Sequence, residues 1–216
     1  MLENKFIGLF GGAFDPVHKA HIEIAENIHK FLNLNKIIFI PTGISPFNKN
    51  LTDYNHRIAM LNLVCLNKNF EVSDIEIIKS ITSNEKSYTV DTLKYLFENN
   101  NDTYFFILGS DTLSHLSDWY KWKDIIKYSH LIFVERKGSL LKDCLSEEIK
   151  NFVNSHKVSD IKNLKQKRSG LTYQFKMNFM DISSTEVVNE SINNSDITKL
   201  VPEAVNKYIK KHQLYL

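Results

Sequence analysis

Gly8-Leu9-Phe10-Gly11-Gly12-Ala13-Phe14-Asp15-Pro16-Val17-His18-Lys19-Ala20-His21 is the stretch whose reading decides the fold. Leading into it, Lys5-Phe6-Ile7-Gly8-Leu9-Phe10 is an almost uninterrupted apolar run, the pattern of a central strand buried on both faces of a parallel sheet. Gly11 and Gly12 are expected to break that strand, and Pro16 fixes the backbone before a helical pattern that begins near Val17 or His18. Strand, glycine turn and helix N-terminus in that order suit phosphate. Glycine lets the backbone approach a ligand closely, while free first-turn amides and the helix dipole favour negative charge. His18 and His21, three apart, share one helical face. Two blander readings stand beside this one. The glycine pair alone also fits a plain turn, and the histidines fit two unrelated surface residues or half of a metal site. Zinc requires further ligands, and no Cys/His cluster at ligand spacing follows.

Working outward, Ile22, Ile24, Ala25, Ile28, Phe31 and Leu32 recur at helical spacing. Lys36-Ile37-Ile38-Phe39-Ile40-Pro41 reads as a second buried strand, closing a right-handed βαβ unit. The loop Thr42 to Asn50 leaves the carboxyl end of that strand, where open α/β sheets bind ligands. Its Lys49 is placed to meet phosphate, or is a solvated loop lysine. Tyr54 to Leu66 is an amphipathic element with Ile58, Met60, Leu61 and Val64 inward and Arg57 near its start. Phe70 to Ser73 is a short strand, Asp74 to Ile77 continues extended, and Lys79 to Lys86 is polar loop. Val90 to Phe97 is a helix that Thr89 is expected to cap.

Thr103-Tyr104-Phe105-Phe106-Ile107-Leu108 is the most hydrophobic strand, and Gly109-Ser110-Asp111 closes its carboxyl end. Asp111 reads as a ligand contact or as a helix N-cap. Trp119, Tyr120 and Trp122 crowd three aromatics together. Two are expected in the core, with an indole or phenol left to stack on a flat heterocycle. His130 to Val134 is a further strand with Glu135 to Gly138 as its exit, and Ser146 to Asn154 a helix with Glu147 and Glu148 in its first turn. Lys162, Lys165, Lys167 and Arg168 read as a solvated face, not an RNA-binding patch. Leu171 to Phe179 is a strand, and hydroxyls at Ser183, Ser184 and Thr185 precede an apolar helix as N-cap and phosphate donors. A terminal helix has Pro202 at its first turn. The expectation is an α/β fold of Rossmann-like form, with a central parallel sheet, helices on both faces and a C-terminal helical segment, built as one domain over residues 1–216.

The chain of 216 residues is long enough to bury a full core. A net charge of +2 gives no reason to expect a nucleic-acid or membrane-surface partner. Cys65 and Cys144 are far apart and without a motif, as in two free thiols of a reducing compartment. There is no signal-peptide pattern and no apolar run near the ~20 residues of a membrane helix, so a cytoplasmic enzyme is expected.

Gly11-Gly12-Ala13-Phe14-Asp15-Pro16-Val17-His18-Lys19-Ala20-His21 resembles the GGxFxPxHxGH signature of the HxGH nucleotidyltransferase superfamily, with Ala20 in place of the usual glycine. Ile182-Ser183-Ser184-Thr185 is similar to the ISSTxxR motif of its adenylyltransferase branch. Ser87-Tyr88-Thr89-Val90-Asp91-Thr92-Leu93, Gly109-Ser110-Asp111, Trp119-Tyr120-Lys121-Trp122 and the tail from Leu200 to Tyr215 resemble the bacterial nicotinate-nucleotide adenylyltransferase family. Two departures stand out: Val188 occupies the place of the motif arginine, and Pro46-Phe47-Asn48-Lys49 stands where the family tends to have Pro-Pro-His-Lys.

The resemblance implies attack by the phosphate of nicotinate mononucleotide on the α-phosphorus of ATP, with Mg2+ accompanying ATP. It assigns His18, His21 and Lys49 to catalysis. Gly11, Gly12, Ala13, Phe14, His18, His21, Gly109, Asp111, Ser184 and Thr185 are assigned to ATP. Gly12, Lys49, Thr89, Trp119 and Tyr120 are assigned to the mononucleotide. No protein metal site is expected, and a homodimer is left open. Two rivals stand beside it: another adenylyltransferase of the superfamily, such as one acting on pantetheine phosphate, and a degenerate nucleotide-binding regulator.

Overall fold

In the computed structural model, which describes residues 4–47, 50–136, 145–178 and 180–216, the first strand, β1 (Phe6–Gly12), is the middle of a sheet. The others are β2 (Lys36–Pro41), β3 (Phe70–Val72), β4 (Thr103–Gly109), β5 (His130–Arg136) and β6 (Thr172–Met177). They lie in the order β3-β2-β1-β4-β5-β6. Every neighbouring pair is parallel. The chain winds outward from β1 to β3, then returns to β1's other side with β4, so β1 and β4 flank the point where the winding reverses.

Alternation along these strands feeds two apolar layers. Phe105 and Ile107 of β4 join Phe10, Phe39 and the buried faces of α1 (Lys19–Leu32), α2 (Tyr54–Cys65), α7 (Ser184–Ile192) and α8 (Glu203–His212). Tyr104, Phe106 and Leu108 turn the other way, with Ile7 and Leu9, onto α4 (Thr89–Asn99), the short α5 (Ser110–Ser114) and α6 (Glu147–Ser155). Helices therefore cover both faces, which is why β1 and β4 read as unbroken apolar runs.

Several local expectations are corrected. The glycines do not break β1: Gly11 and Gly12 still pair with Ile40 and Pro41, and the turn comes at Phe14, whose φ of 49° is rare for an aromatic residue. Asp74 to Ile77 is not extended. Asp74 precedes α3 (Ile75–Ser83), which also takes up the first five residues of the segment read as polar loop. Tyr88, not Thr89, is the cap of α4, and Gly109, not Asp111, precedes α5. Of the three clustered aromatics only Trp122 is buried, with Trp119 half-buried and Tyr120 49% exposed. Phe31 is also outside the core, 39% exposed, with its ring against Phe175 and Tyr173.

Arg168 is not merely solvated: its guanidinium lies 4.0 Å from the Phe97 ring centre and donates to the Phe97 and Asn100 carbonyls. Cys65 is a free thiol, and Cys144 lies outside the described residues. No helix among the described residues is long and apolar enough to cross a membrane.

Candidate active site

At the carboxyl ends of β1, β2 and β4 the sheet opens into a cleft of about 880 Å³. Gly11, Gly12 and Ala13 form one wall and Gly109 another. The far end is lined by Thr89, Trp119 and Tyr120. Trp119 packs edge-on to Phe106, and Tyr120 lies against Tyr88 with ring centres 4.8 Å apart. Seven of the expected residues thus share one cavity, at the switch point of the sheet, where ligands of this architecture bind.

His18 and His21 stand beside that lining, not in it. His18 is the N-cap of α1 and only 5% exposed. Its ring stacks on that of His21 at 3.6 Å, and the edge of His21 packs against Phe14 and Phe10. Phe10 itself lines the cleft. His21 Nδ1 accepts the His18 backbone N–H at 3.3 Å, so the proton of the neutral ring sits on Nε2. Burial lowers the His18 pKa to about 4, and burial with the neighbouring His18 holds His21 well below its ordinary value. Both rings are therefore neutral donors near pH 7 until an anion arrives.

Phe14 contributes through its backbone turn, because its side chain is 2% exposed and wedged among Phe10, His21 and Phe39. Asp15, Arg57 and the C-terminus brace that turn. Arg57 Nη1 donates to the Ala13 carbonyl and Nε to the Thr52 carbonyl, both at 2.9 Å. Asp15 accepts the Thr52 amide at 2.8 Å and the Tyr215 hydroxyl at 2.5 Å. Burial and this bond hold the Tyr215 phenol far above its ordinary range.

Ser183 caps α7 with the Glu186 side chain in reciprocal bonds, as the hydroxyl cluster predicts. Ser184 Oγ donates to the Pro16 carbonyl at 3.0 Å, tying this helix start to the histidine loop. Thr185 is exposed on the first turn. Neither lines the cleft. Lys49 lies outside the described residues, and of Asp111 only the backbone, in the first turn of α5, is described. Sequence reading missed Glu76, Ser87 and Thr92, which line the cleft. Among the described residues no three His, Cys, Asp or Glu side chains converge as a metal site.

This fold and site define a nucleotidyltransferase: residues 9–190 match the cytidylyltransferase-like family. Over nearly its whole length the chain is also similar to proteins named probable nicotinate-nucleotide adenylyltransferase. With that of Shewanella frigidimarina it shares 32% identity over 97% of this chain and 99% of the relative. With that of Buchnera aphidicola it shares 33% over 98% and 97%. A solved structure of Plasmodium falciparum nicotinic acid mononucleotide adenylyltransferase, complexed with NaAD, superimposes with a TM-score of 0.75 at 23% identity, covering 98% of both chains. The chain belongs to the nicotinate-nucleotide adenylyltransferase family.

Proposed function

We propose that this enzyme transfers the adenylyl group of ATP to nicotinate mononucleotide, releasing pyrophosphate and forming nicotinate adenine dinucleotide. The observation that carries the reading is one continuous cleft at the sheet's switch point. It has a glycine-walled end beside a neutral histidine pair and an aromatic end at Trp119 and Tyr120. Two nucleotides can meet there phosphate to phosphate.

The attacking phosphate is already an anion, so no general base is required, and catalysis consists of positioning and charge neutralisation. His18 and His21 donate to the phosphates of ATP. Because both rings are neutral when the site is empty, an arriving phosphate draws them toward the charged form, and the donation strengthens as charge builds on the leaving pyrophosphate. Amides at Gly12 and Ala13 and the α1 dipole hold the nucleotide phosphates, with Gly109 and the backbone at Asp111 on the ATP side. Ser184 and Thr185 supply first-turn backbone amides from the start of α7, and Lys49 neutralises phosphate at the junction of the substrates. Trp119 stacks on the pyridine ring, with Thr89 and Tyr120 donating to its carboxylate. Mg2+ enters as part of its ATP complex, held by phosphate and water more than by protein carboxylates.

The test is pyrophosphate release from ATP and Mg2+ with nicotinate mononucleotide, nicotinamide mononucleotide and phosphopantetheine in parallel. A lead for nicotinate mononucleotide of about tenfold or more over the amide, ~1.4 kcal/mol, supports the acid assignment. A lead for phosphopantetheine overturns the substrate, and ATP binding without turnover of any of the three overturns the activity.

A further inference from the structure

Glu76 sits in the cleft wall without a task in the transfer described above. It lies in the first turn of α3, 8% exposed, and its Oε1 accepts the Thr92 hydroxyl at 3.0 Å. Thr92 follows Thr89 by one turn of α4, so the two hydroxyls share a face and line the same cleft as Trp119 and Tyr120. The loop after β2 closes over the other side. A Cβ on Gly43 would lie 2.4 Å from the Glu76 carbonyl oxygen and 2.8 Å from Ser87 Oγ. The Ser80 hydroxyl locks that approach by donating to the Glu76 carbonyl and accepting the Ile44 amide.

The cation nearest in sequence is already engaged. Lys79, one turn along α3, faces Glu85 at 3.2 Å and Asp91 at 3.5 Å. Among the described residues, the other ionisable groups lining the cleft are Tyr88, Tyr120, His115 and Asp118, the last two facing each other at 3.5 Å. Among the described residues Glu76 has no ion-pair partner. Its charge is thus buried against hydroxyls and an amide, with Lys79 acting on it only at a distance, and burial raises its pKa to about 7 against the pull of Thr92, Ser87, Gly43 and Lys79.

We propose that Glu76 is a specificity-determining residue that senses ring charge. It takes up a proton from solvent when a mononucleotide bearing a ring carboxylate binds, and stays ionised when a carboxamide ring binds. This rests on the reading that Thr89, Trp119 and Tyr120 hold the ring. Two carboxylates sharing one poorly solvated wall do not both keep their charge. The substrate's carboxylate meets donors at Thr89 and Tyr120, so the proton goes to Glu76, which becomes a hydrogen-bond donor in place of a repelling anion. A carboxamide instead offers N–H groups that an ionised Glu76 accepts. The preference for acid over amide is therefore a function of pH.

The experiment measures kcat/KM for nicotinate and nicotinamide mononucleotide from pH 6.5 to 8.5, in the wild type and in Glu76→Gln. Titration of the substrate phosphates and of His18 and His21 is common to both substrates and cancels in their ratio. The acid-to-amide ratio of the wild type falls about tenfold or more across this range, and that of Glu76→Gln stays within about twofold. Calorimetric binding in two buffers of different ionisation enthalpy shows proton uptake with the acid and none with the amide. This second measurement needs neither turnover nor a variant. A wild-type ratio independent of pH, a variant that keeps the wild-type slope, or equal proton uptake with both substrates overturns the proposal. If the wild type binds nicotinate mononucleotide with proton uptake yet turns over neither mononucleotide, the assigned activity fails and the role of Glu76 stands. If it binds neither, both fall.

Discussion

His18 and His21 lie face to face, ring centres 3.6 Å apart and planes inclined by 26°, with the backbone amide of the first donating to Nδ1 of the second. The pair is a unit. Removing either ring unseats the other, so both single variants should show similar losses. His18→Ala and His21→Ala are each expected to lower kcat by about 10²- to 10³-fold, as for the loss of a donor to developing transition-state charge. On the proposed assignment of the pair to the ATP phosphates, the KM for the mononucleotide should stay within about threefold. Single-turnover kinetics with saturating ATP check this. A loss confined to the mononucleotide KM would move the histidines to the wrong substrate.

The same pair is linked to Glu76 through stability. Folding depresses the pKa of His18 and His21 and raises that of Glu76 to about 7. At roughly pH 5 to 6 the unfolded chain therefore carries two histidine protons that the folded chain lacks, while the folded chain carries one on Glu76 that the unfolded chain lacks. The histidines make stability fall as pH falls, and Glu76 makes it fall as pH rises, so the contributions oppose. Glu76→Gln should steepen the acid loss of stability by about one proton, ~1.4 kcal/mol per pH unit, and His18→Gln should flatten it by a similar amount. Urea unfolding at several pH values in that window measures both slopes. Identical slopes in all three proteins would mean that these groups titrate alike folded and unfolded.

Much of this was legible before any coordinates. Apolar runs placed β1, β2, β4 and β5, because strands buried on both faces leave an unbroken signal. The hydroxyls before Glu186 announced the cap of α7. What failed were the places where pattern and environment diverge. Ile75 and Ile77 read as extended because β-branched residues favour strands, and Ile81 falls in the segment read as polar loop, yet all three belong to α3, with Ile81 59% exposed. Glu76 was hidden inside that misreading. Arg57 was visible as a residue near a helix start, but its bond to Ala13 spans 44 positions, and no local periodicity encodes such a contact. Trp119 and Trp122 are alike in sequence context and are separated only by the turn at Lys121, whose φ is 48°.

Gly43 and Gly109 make a matched pair of tests. A methyl group on Gly43 would stand 2.1 Å from Ser80 Oγ and 2.4 Å from the Glu76 backbone oxygen, and the latter cannot swing aside. Gly43→Ala should cost about 1–3 kcal/mol of stability and raise the mononucleotide KM by loosening the wall that Glu76 and Ser87 share. A Cβ on Gly109 meets nothing within 4 Å, and its φ of −68° suits any residue. Gly109→Ala should therefore leave stability within about 0.5 kcal/mol and raise the ATP KM by filling the cleft. An unchanged ATP KM would remove Gly109 from the nucleotide site.

Ser184 Oγ joins the start of α7 to the Pro16 carbonyl across 168 positions of sequence. Neighbouring Ser183 holds the cap itself, with its hydroxyl accepting the Glu186 amide at 3.1 Å. The two serines therefore separate helix stability from helix placement. Ser183→Ala should cost about 1 kcal/mol, the ordinary loss of an N-cap, with a modest effect on turnover. Ser184→Ala keeps the cap but frees the helix from the histidine loop. It should lose about 0.5–1.5 kcal/mol for one hydrogen bond and, on the proposal that both helix starts hold one triphosphate together, raise the ATP KM severalfold. Thermal melts and initial rates at varied ATP distinguish the two. If Ser183→Ala carried the larger effect on ATP KM, α7 would act on ATP through its own order, and the bond to Pro16 would be structural alone.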